Sequence, residues 1–262
     1  MSERVTPSLP FDPETVWEEA VCVNLRMHPD ALRPLVPPAF ELDLHQGHAF
    51  VSLTASRLKN FGVVGVPNAL RTNFYQATYR AHVRYVDYAG RTRRGCYMVR
   101  SDTNSEAMSM AANALPEFRA HHCSTYPIVM ARHQGNLVLT VDSGQDAAGK
   151  VVLVLDTEHC HQEMPAGSVF TSLAQARALL VDFDESYAHD ADSDEILVLR
   201  IERGEWKIKV VSVVDSYLGF VSRGPLGQRA DTVLDSVFYF REVPYRWLPL
   251  IREKRRADSC QG

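Results

Sequence analysis

The sequence predicts a β-rich α+β fold built on an antiparallel sheet, and three observations lead to this prediction. Runs with strand-like alternation outnumber the two clear helical segments, and short turn signals join many of them as hairpins. The segment Phe74–Val86 has two chemically opposite faces, because successive strand side chains point to opposite sides. The next strand, Gly95–Ser101, is apolar on both faces apart from Arg100, which indicates a sheet covered on both sides.

The polar face of Phe74–Val86 is the first candidate for a functional surface. It carries Phe74, Gln76, Thr78, Arg80, His82 and Arg84, whereas the other face carries Tyr75, Ala77, Tyr79, Ala81, Val83 and Tyr85. A polar face on a covered sheet favours the wall of a cavity. A face exposed to water is the alternative, and the sequence leaves it open.

Length and composition set the limits for the rest of the chain. With 262 residues and 45% apolar content, the chain can bury a large core, and we expect a single domain over residues 1–262 with flexible ends at 1–14 and 252–262. A net charge of -4 does not indicate the basic surface that nucleic-acid binding requires. The polar, proline-containing start is unlike a secretory signal, and no run has the length of a membrane span, so we expect a cytoplasmic protein that contacts no membrane.

The first half of the chain reads as strands with a short helix and one longer, amphipathic helix. We expect a strand, a short helix closed by prolines, a hairpin at Gln46-Gly47, a mobile glycine- and valine-rich loop, and, after the two strands above, an amphipathic helix. In order, these elements are Val16–Arg26, Pro29–Leu35, Glu41–Leu44 with His48–Leu53, Asn60–Leu70 and Asn104–Leu115.

The second half adds strands and one more helix. Three strands in hairpins precede a helix, an acidic loop and four further strands, and the basic end is read as frayed. These elements are Pro127–Arg132, Asn136–Val141, Val151–Asp156, helix Ser172–Asp182, loop Asp184–Glu195, Ile196–Glu202, Glu205–Val214, Tyr217–Val221, Val237–Glu242 and end Arg252–Arg256.

Cofactor and metal signals are weak. The five cysteines are widely spaced without a Cys-x-x-Cys pair and read as free thiols. The groups His121-His122-Cys123 and His159-Cys160-His161 with Glu163 offer metal-binding side chains, but their spacing is not that of a structural zinc site, so we expect no metal. There is no dinucleotide or phosphate-loop motif and no G-x-S-x-G elbow, and we expect no cofactor.

Several blocks of the chain resemble one known family. The segment from Trp17 to Leu53 is similar in order and spacing to the start of the domain of unknown function 2071 family, which has the acetoacetate decarboxylase-like fold. The matching positions there are His28–Leu35, Pro37, Phe40, Leu42, Gly47, Ala49 and Val51. A second block matches closely at Arg80, Val83, Gly95 and Ser101, and later blocks fit in order at Leu173–Tyr187, the Trp206 strand and Phe238–Trp247.

The resemblance implies a fold and raises a question about activity. It implies a curved antiparallel sheet closed into a cone or barrel around one central cavity, with a few peripheral helices. The named enzyme of this fold decarboxylates an oxo acid through a Schiff base on one of two adjacent lysines. In this sequence no two lysines are neighbours, and the matching region carries Arg93-Arg94 and Arg100 instead. An arginine cannot serve as the nucleophile, but it can bind a carboxylate.

The predicted binding residues follow from this chemistry. Arg80 could hold a substrate carboxylate while Gln76, two places along the same face, orients a carbonyl group. Arg100 and Ser101 end the neighbouring strand, and Tyr97 could donate its phenol to the same cavity. Each also has a structural interpretation: Arg80 as a bridge between strand and loop, Arg100 and Ser101 in helix capping, and Tyr97 as a core tyrosine.

Two functions remain open at this point. The first is a lyase-like enzyme acting on a small oxo acid or related carboxylate, with Lys207, Lys209, His82 and Asp102 as the candidates for proton transfer or nucleophilic attack. Lys207 and Lys209 also read as solvated residues at a strand end. The second is a non-catalytic protein that binds a small carboxylate. In both cases the expected partner is a small molecule and not nucleic acid. The sequence leaves open whether the protein forms a homo-oligomer.

Overall fold

An extensive β-sheet dominates the computed structural model, which describes residues 13–114, 123–227 and 231–254. Its strands are β1 (Pro13–Met27), β2 (Glu41–Leu42), β3 (Ala49–Val63), β4 (Thr72–Val86), β5 (Thr92–Thr103), β6 (Cys123–Thr125), β7 (Ile128–His133), β8 (Asn136–Val141), β9 (Val151–His161), β10 (Glu185–Asp190), β11 (Glu195–Arg203), β12 (Lys209–Leu218), β13 (Val233–Trp247) and β14 (Ile251–Lys254). The helices are α1 (Pro29–Leu32), α2 (Glu106–Ala114), α3 (Leu173–Leu180) and α4 (Gly219–Ser222), with 3-10 turns at Arg33–Leu35 and Asn68–Leu70. None of these helices has the length and apolar character needed to cross a membrane.

Seven strands form a ring of hydrogen-bonded neighbours. The order β11-β10-β5-β4-β3-β1-β13 is closed by pairing of β11 with β13, through Ile201 with Trp247 and Arg203 with Tyr245. A second group of strands, β12-β9-β8-β7, continues from β13. Most pairings are antiparallel, as predicted, but β10 and β6 run parallel to β5.

The two faces of the ring strands belong to different apolar clusters. Val23, Leu53 and Tyr79 pack in one cluster with side chains of β7, β8 and β9, so the second group of strands covers this face. Cys22, Phe50 and the other alternate residues belong to a second cluster that includes Ala176 and Leu180 of α3. Because both faces are covered, the polar residues of β4 cannot form an ordinary solvated face.

Both principal helices contribute to the second of these faces. Ser172 caps α3 by accepting a hydrogen bond from the Gln175 amide, which is the role expected of a serine before a helix. Helix α2 begins after Ser105, whose hydroxyl accepts from the Met108 amide at 3.3 Å. A hydrogen bond from Ser109 Oγ to the Cys123 carbonyl, 2.7 Å long, fixes α2 against β6.

Strand β10 is the largest local departure from the sequence prediction, because its acidic composition reads as a loop. It pairs with β11 along its whole length and with β5 at Ser186 and Tyr187. Gly95 permits the β5 contact: a Cβ there would lie within 3 Å of the Glu185 carbonyl oxygen and the Tyr187 ring. Any larger residue at this position would push the two strands apart.

Several boundaries also differ. The turn at Gln46-Gly47 exists, with φ of 49° and 80°, but β2 pairs with β4 instead of completing a hairpin with β3. Strand β3 extends to Val63, so the predicted loop is a strand over its first four residues. The two strands predicted at Glu205–Val214 and Tyr217–Val221 are instead the single strand β12, which starts at Lys209, followed by α4.

The predicted flexible ends are only partly described. Residues 1–12 and 255–262 lie outside the described residues, as does Leu115 of the second predicted helix. Glu14, by contrast, belongs to β1, and Arg252 belongs to β14. Arg252 is held there by ion pairs with Asp190 at 3.2 Å and Glu195 at 3.5 Å, which explains why this basic segment does not fray at its start.

Candidate functional site

A cavity of about 300 Å³ lies against the polar side chains of three adjacent ring strands. The strand register arranges these side chains in rows across β3, β4 and β5. One row is Ser56, Gln76 and Thr103, the next is Thr54, Thr78 and Ser101, and the third places Arg80 beside Met98. The polar residues of β4 from Gln76 to Arg80 therefore line a pocket, as the alternation in the sequence predicts. Arg84, at the far end of the predicted face, instead pairs with Glu41 at 3.0 Å near the surface.

Aromatic rings form a second wall. Tyr245 and Trp247 of β13 have ring centroids 4.5 Å apart, and the row continues from Trp247 to Phe61 at 5.6 Å and from Phe61 to Phe74 at 5.4 Å. Trp17 of β1 contacts Tyr245 at 4.7 Å. The remaining lining residues are apolar or weakly polar: Pro13, Met98, Met108, Ala111, Ala112, Cys123 and Leu199.

Arg80 is the one charged residue among the described lining residues, and its surroundings leave its charge uncompensated. One guanidinium nitrogen donates to Thr54 Oγ1, and the guanidinium lies 5.6 Å from the centre of the Phe183 ring. Its buried Nε has no hydrogen-bond partner, and no carboxylate of the described residues forms an ion pair with it. A half-buried cation without a counterion favours the binding of an anion.

A chain of directed hydrogen bonds runs from Arg80 into the buried layer beneath the cavity. Thr54 accepts from Arg80 and donates its own proton to Cys22 Sγ, 3.6 Å away. The Cys22 thiol in turn donates to Asn24 Oδ1 at 3.3 Å. Because each hydroxyl or thiol proton already has an acceptor, Thr54 Oγ1 presents a lone pair to Arg80 and fixes that edge of the guanidinium.

His82 of β4 is hydrogen-bonded to the same buried polar layer. Ser52 donates to Asn24 Oδ1 at 2.7 Å, so its oxygen is left to accept a proton from His82 Nε2 at 2.8 Å. Asn24 also donates to Ser236 Oγ at 3.2 Å. Burial and, after it, the positive charge of Arg80 lower the pKa of His82 to about 3. His82 is therefore a neutral structural residue under the cavity and does not line it.

A β-bulge in β5 changes the position of two predicted binding residues. Arg80 pairs with Met98 but Tyr79 pairs with Arg100, so Val99 is the extra residue on β5. Val99 and Arg100 consequently share the face opposite the cavity, which packs toward β7, β8 and β9, whereas Ser101 returns to the cavity. Contrary to the expectation from the sequence, Arg100 lies outside the cavity, where it binds Asp102 and Asp146, each at 2.7 Å.

Two further predicted site residues, Asp102 and Tyr97, also lie on the face of β5 opposite the cavity. Asp102 opposes Ala77 and is the ion-pair partner of Arg100, so it is not a proton-transfer group of the cavity. Tyr97 opposes Ala81 and packs against Phe40 with centroids 5.9 Å apart. Its position is the core tyrosine that the sequence left as the alternative.

All five lysines of the sequence fall within the described residues, and none lines the cavity. Lys207 precedes β12 in an irregular segment and Lys209 begins that strand; both are exposed. Lys150 and Lys254 are exposed too, and Lys59 pairs with Glu18 at 3.5 Å. The cavity thus has no lysine that could form a Schiff base.

No group of three metal-binding side chains occurs among the described residues. His159 is exposed and contacts Asp156 at 2.8 Å, and Cys160 donates to the Thr157 carbonyl. His121 and His122 lie outside the described residues. Cys123 does line the cavity, and burial raises the pKa of its thiol, which keeps the group neutral.

Comparison with known proteins places the chain in a family. The family model DUF2071, described as an uncharacterized conserved protein, matches residues 14–244. The chain belongs to the DUF2071 family. No curated protein matches this DUF2071 sequence.

Solved structures similar to this DUF2071 protein share its fold. Acetoacetate decarboxylase from Legionella pneumophila superposes with a TM-score of 0.62 at 14% identity, covering 94% of this chain and 88% of its own. An acetoacetate decarboxylase-like enzyme from Sphingomonas wittichii gives 0.57 at 12% identity, with 98% and 99% covered. The enduracididine biosynthesis enzyme MppR, complexed with the condensation product of pyruvate and imidazole 4-carboxaldehyde, gives 0.55 at 14% identity, with 93% and 88% covered. The DUF2071 chain therefore has the acetoacetate decarboxylase-like fold, as the resemblance implied.

Of the predicted binding residues, the structure brings Gln76, Arg80 and Ser101 together on the cavity wall. Sequence reasoning missed the aromatic wall, because Trp17 and Tyr245 meet only when β1 and β13 pair. It also missed Thr54, because only the strand register shows that this residue of β3 lies beside Thr78 of β4. The spacing of Tyr245 and Trp247, two aromatic residues on one strand face, was the available signal.

Proposed function

We propose that this DUF2071 protein binds a small organic carboxylate through Arg80 in the ring cavity and does so without forming a Schiff base. The observation that carries the proposal is an arginine on a cavity wall with no carboxylate of the described residues beside it. Its charge is permanent, and a guanidinium can hold a carboxylate by two parallel hydrogen bonds. Gln76 and Ser101 are 3.4 Å apart on the same wall and would orient a neighbouring oxo or hydroxyl group.

The non-catalytic alternative is better supported than the lyase-like one. A lyase of the acetoacetate decarboxylase type needs a cavity lysine, and a proton-transfer mechanism needs a titrating group within reach of the ligand. Lys207 and Lys209 are exposed, Asp102 is buried on the face of β5 opposite the cavity, and His82 lies beneath the lining. None of the four catalytic candidates is therefore available at this wall.

Thermal unfolding in the presence of acetoacetate and pyruvate tests the binding. A ligand at 100 times its Kd stabilises the native state by about 2.7 kcal/mol, which gives a clear rise in Tm. We expect Arg80→Gln to lose this rise. Arg84→Gln is the matched control, because Arg84 lies on the same strand but pairs with Glu41 outside the cavity. Equal responses of both variants and the parent protein would refute the role of Arg80.

Borohydride trapping and product analysis test the chemistry separately. Reduction with borohydride converts a lysine Schiff base into a stable adduct that intact mass detects. We expect no adduct with acetoacetate, and an adduct lost in Lys207→Ala or Lys209→Ala would restore the decarboxylase mechanism. We also expect the acids to persist unchanged in proton NMR spectra of the mixture, whereas their conversion would favour an enzyme.

A further inference from the structure

We infer that the preferred ligand is a monocarboxylate with an elongated, uncharged body that carries an aromatic or branched apolar group. This inference rests on the proposed binding of a carboxylate by Arg80. It adds the class of molecule attached to that carboxylate, and three features of the cavity argue for it.

The first feature is the charge of the lining. Arg80 is the single ionised side chain among the described lining residues, and no aspartate, glutamate or lysine is among them. The ammonium group of an amino acid would enter without a partner, and so would the second carboxylate of a dicarboxylate. Burying an unpaired charge is costly, so both classes should bind poorly.

The second feature is the course of the aromatic wall. Arg80 and Arg203 both lie over the Phe183 ring, at 5.6 and 6.0 Å from its centre, and Arg203 is the register partner of Tyr245. The row of rings therefore begins at the Arg80 end of the cavity, which Tyr245 also lines. From Tyr245 the row of rings passes through Trp247 and Phe61 to Phe74. An apolar group held along this row would gain burial and ring contacts.

The third feature is length. Arg80 and Phe74 are six residues apart on β4, a separation of about 20 Å at roughly 3.3 Å per strand residue. The cavity volume of about 300 Å³ lies at the lower end of the range of about 300 to 1,000 Å³ for small-molecule sites. A three-carbon acid at Arg80 would leave most of the rings unoccupied, whereas a longer body would reach Phe61 and Phe74.

Isothermal titration with four acids tests the inference on the full chain. The probes are phenylpyruvate, pyruvate, 2-oxoglutarate and phenylalanine, which vary body size, second negative charge and ammonium group in turn. We expect phenylpyruvate to bind at least ten times more tightly than each of the other three. Pyruvate or 2-oxoglutarate binding as tightly as phenylpyruvate would overturn the inference.

Two variants separate this inference from the proposed function. Tyr245→Ala should weaken phenylpyruvate binding about ten-fold and leave pyruvate unchanged, whereas Tyr88→Ala, at an exposed tyrosine outside the cavity, should change neither. Equal affinity of the parent and Tyr245→Ala proteins for phenylpyruvate would overturn the inference while the Arg80 site stands. If no acid binds, or if Arg80→Gln binds all of them unchanged, the proposed function fails as well.

Discussion

Arg80, the proposed carboxylate-binding residue, is oriented by a chain of hydrogen bonds that leads from the cavity wall into the buried layer beneath it. Thr54 accepts from its guanidinium, and Cys22 and Asn24 fix the direction in which Thr54 donates. The guanidinium edge is thereby oriented before binding, which reduces the entropy lost when a carboxylate docks. The cost of this arrangement is a layer of polar groups buried at the centre of the fold, each of which needs a partner.

His82 belongs to that layer and should give the protein a measurable pH dependence. The unfolded chain binds a proton at this residue near pH 6.5, but the folded protein does so only near pH 3. Between these values the unfolded state binds more protons, so the contribution of His82 is complete above pH 6.5 and is lost as the pH falls. The expected slope is up to about 1.4 kcal/mol of unfolding free energy per pH unit.

Urea unfolding at pH 7, 6 and 5 measures this dependence. His82→Gln should show a shallower loss of unfolding free energy on acidification than the parent protein. His133→Gln is the control, since His133 is exposed at the end of β7. Identical slopes for the parent and His82→Gln proteins would show that His82 titrates in the same way in both states.

At the scale of the element, the bulge in β5 separates the cavity wall from a cluster of ion pairs on the opposite face of the strand. Arg100 and Ser101 are adjacent, yet the extra residue Val99 turns Arg100 toward Asp102 and Asp146 and leaves Ser101 in the cavity. Removing one member of a buried ion pair leaves the other uncompensated. Arg100 is thus expected to act on folding rather than on the ligand.

Arg100→Gln tests this division. Because the Asp102 side chain is almost fully buried and Arg100 is only partly so, we expect the variant to lose about 3 kcal/mol of unfolding free energy, while its carboxylate affinity stays within two-fold of the parent value. Chemical unfolding and titration calorimetry on the same preparation give both numbers. Loss of binding at unchanged stability would mean that Arg100 serves the cavity after all.

These elements also show what the sequence could and could not predict. The period of two along β4 was sufficient to identify Gln76 and Arg80, because nothing interrupts that strand. The same reasoning failed one strand away, since a bulge has no composition of its own and reverses the faces beyond Val99. Strand β10 was missed for another reason: its pairing with β11 and β5 outweighs the low strand propensity of its acidic residues.

At the scale of the whole molecule, two of the strand pairings that close the ring are short, and we call them the seams of the ring. β10 meets β5 at two residue pairs and β11 meets β13 at three, whereas β1 is paired with β3 and β13 along most of its length. The hairpin of β10 and β11 is therefore the least firmly held part of the ring. Tyr245 and Trp247 of the cavity stand at its second seam.

Amide hydrogen exchange should reveal this difference. We expect the amides of both seams to exchange faster than those in the centre of β1, because opening a short seam breaks few hydrogen bonds. Saturation with phenylpyruvate should slow exchange at Tyr245 and Trp247 more than in β9, which lies outside the ring. Uniform protection across all strands, with or without the acid, would contradict this view of the ring.

The position of the lysines has a practical consequence for such measurements. Since all five lie away from the cavity, reagents that couple to primary amines can attach the protein to a sensor surface or carry a fluorophore without blocking the Arg80 wall. The position of the lysines outside the cavity, which leaves the cavity without an amine for a Schiff base, therefore makes them suitable sites of attachment. Ligand binding can then be followed on the immobilised protein.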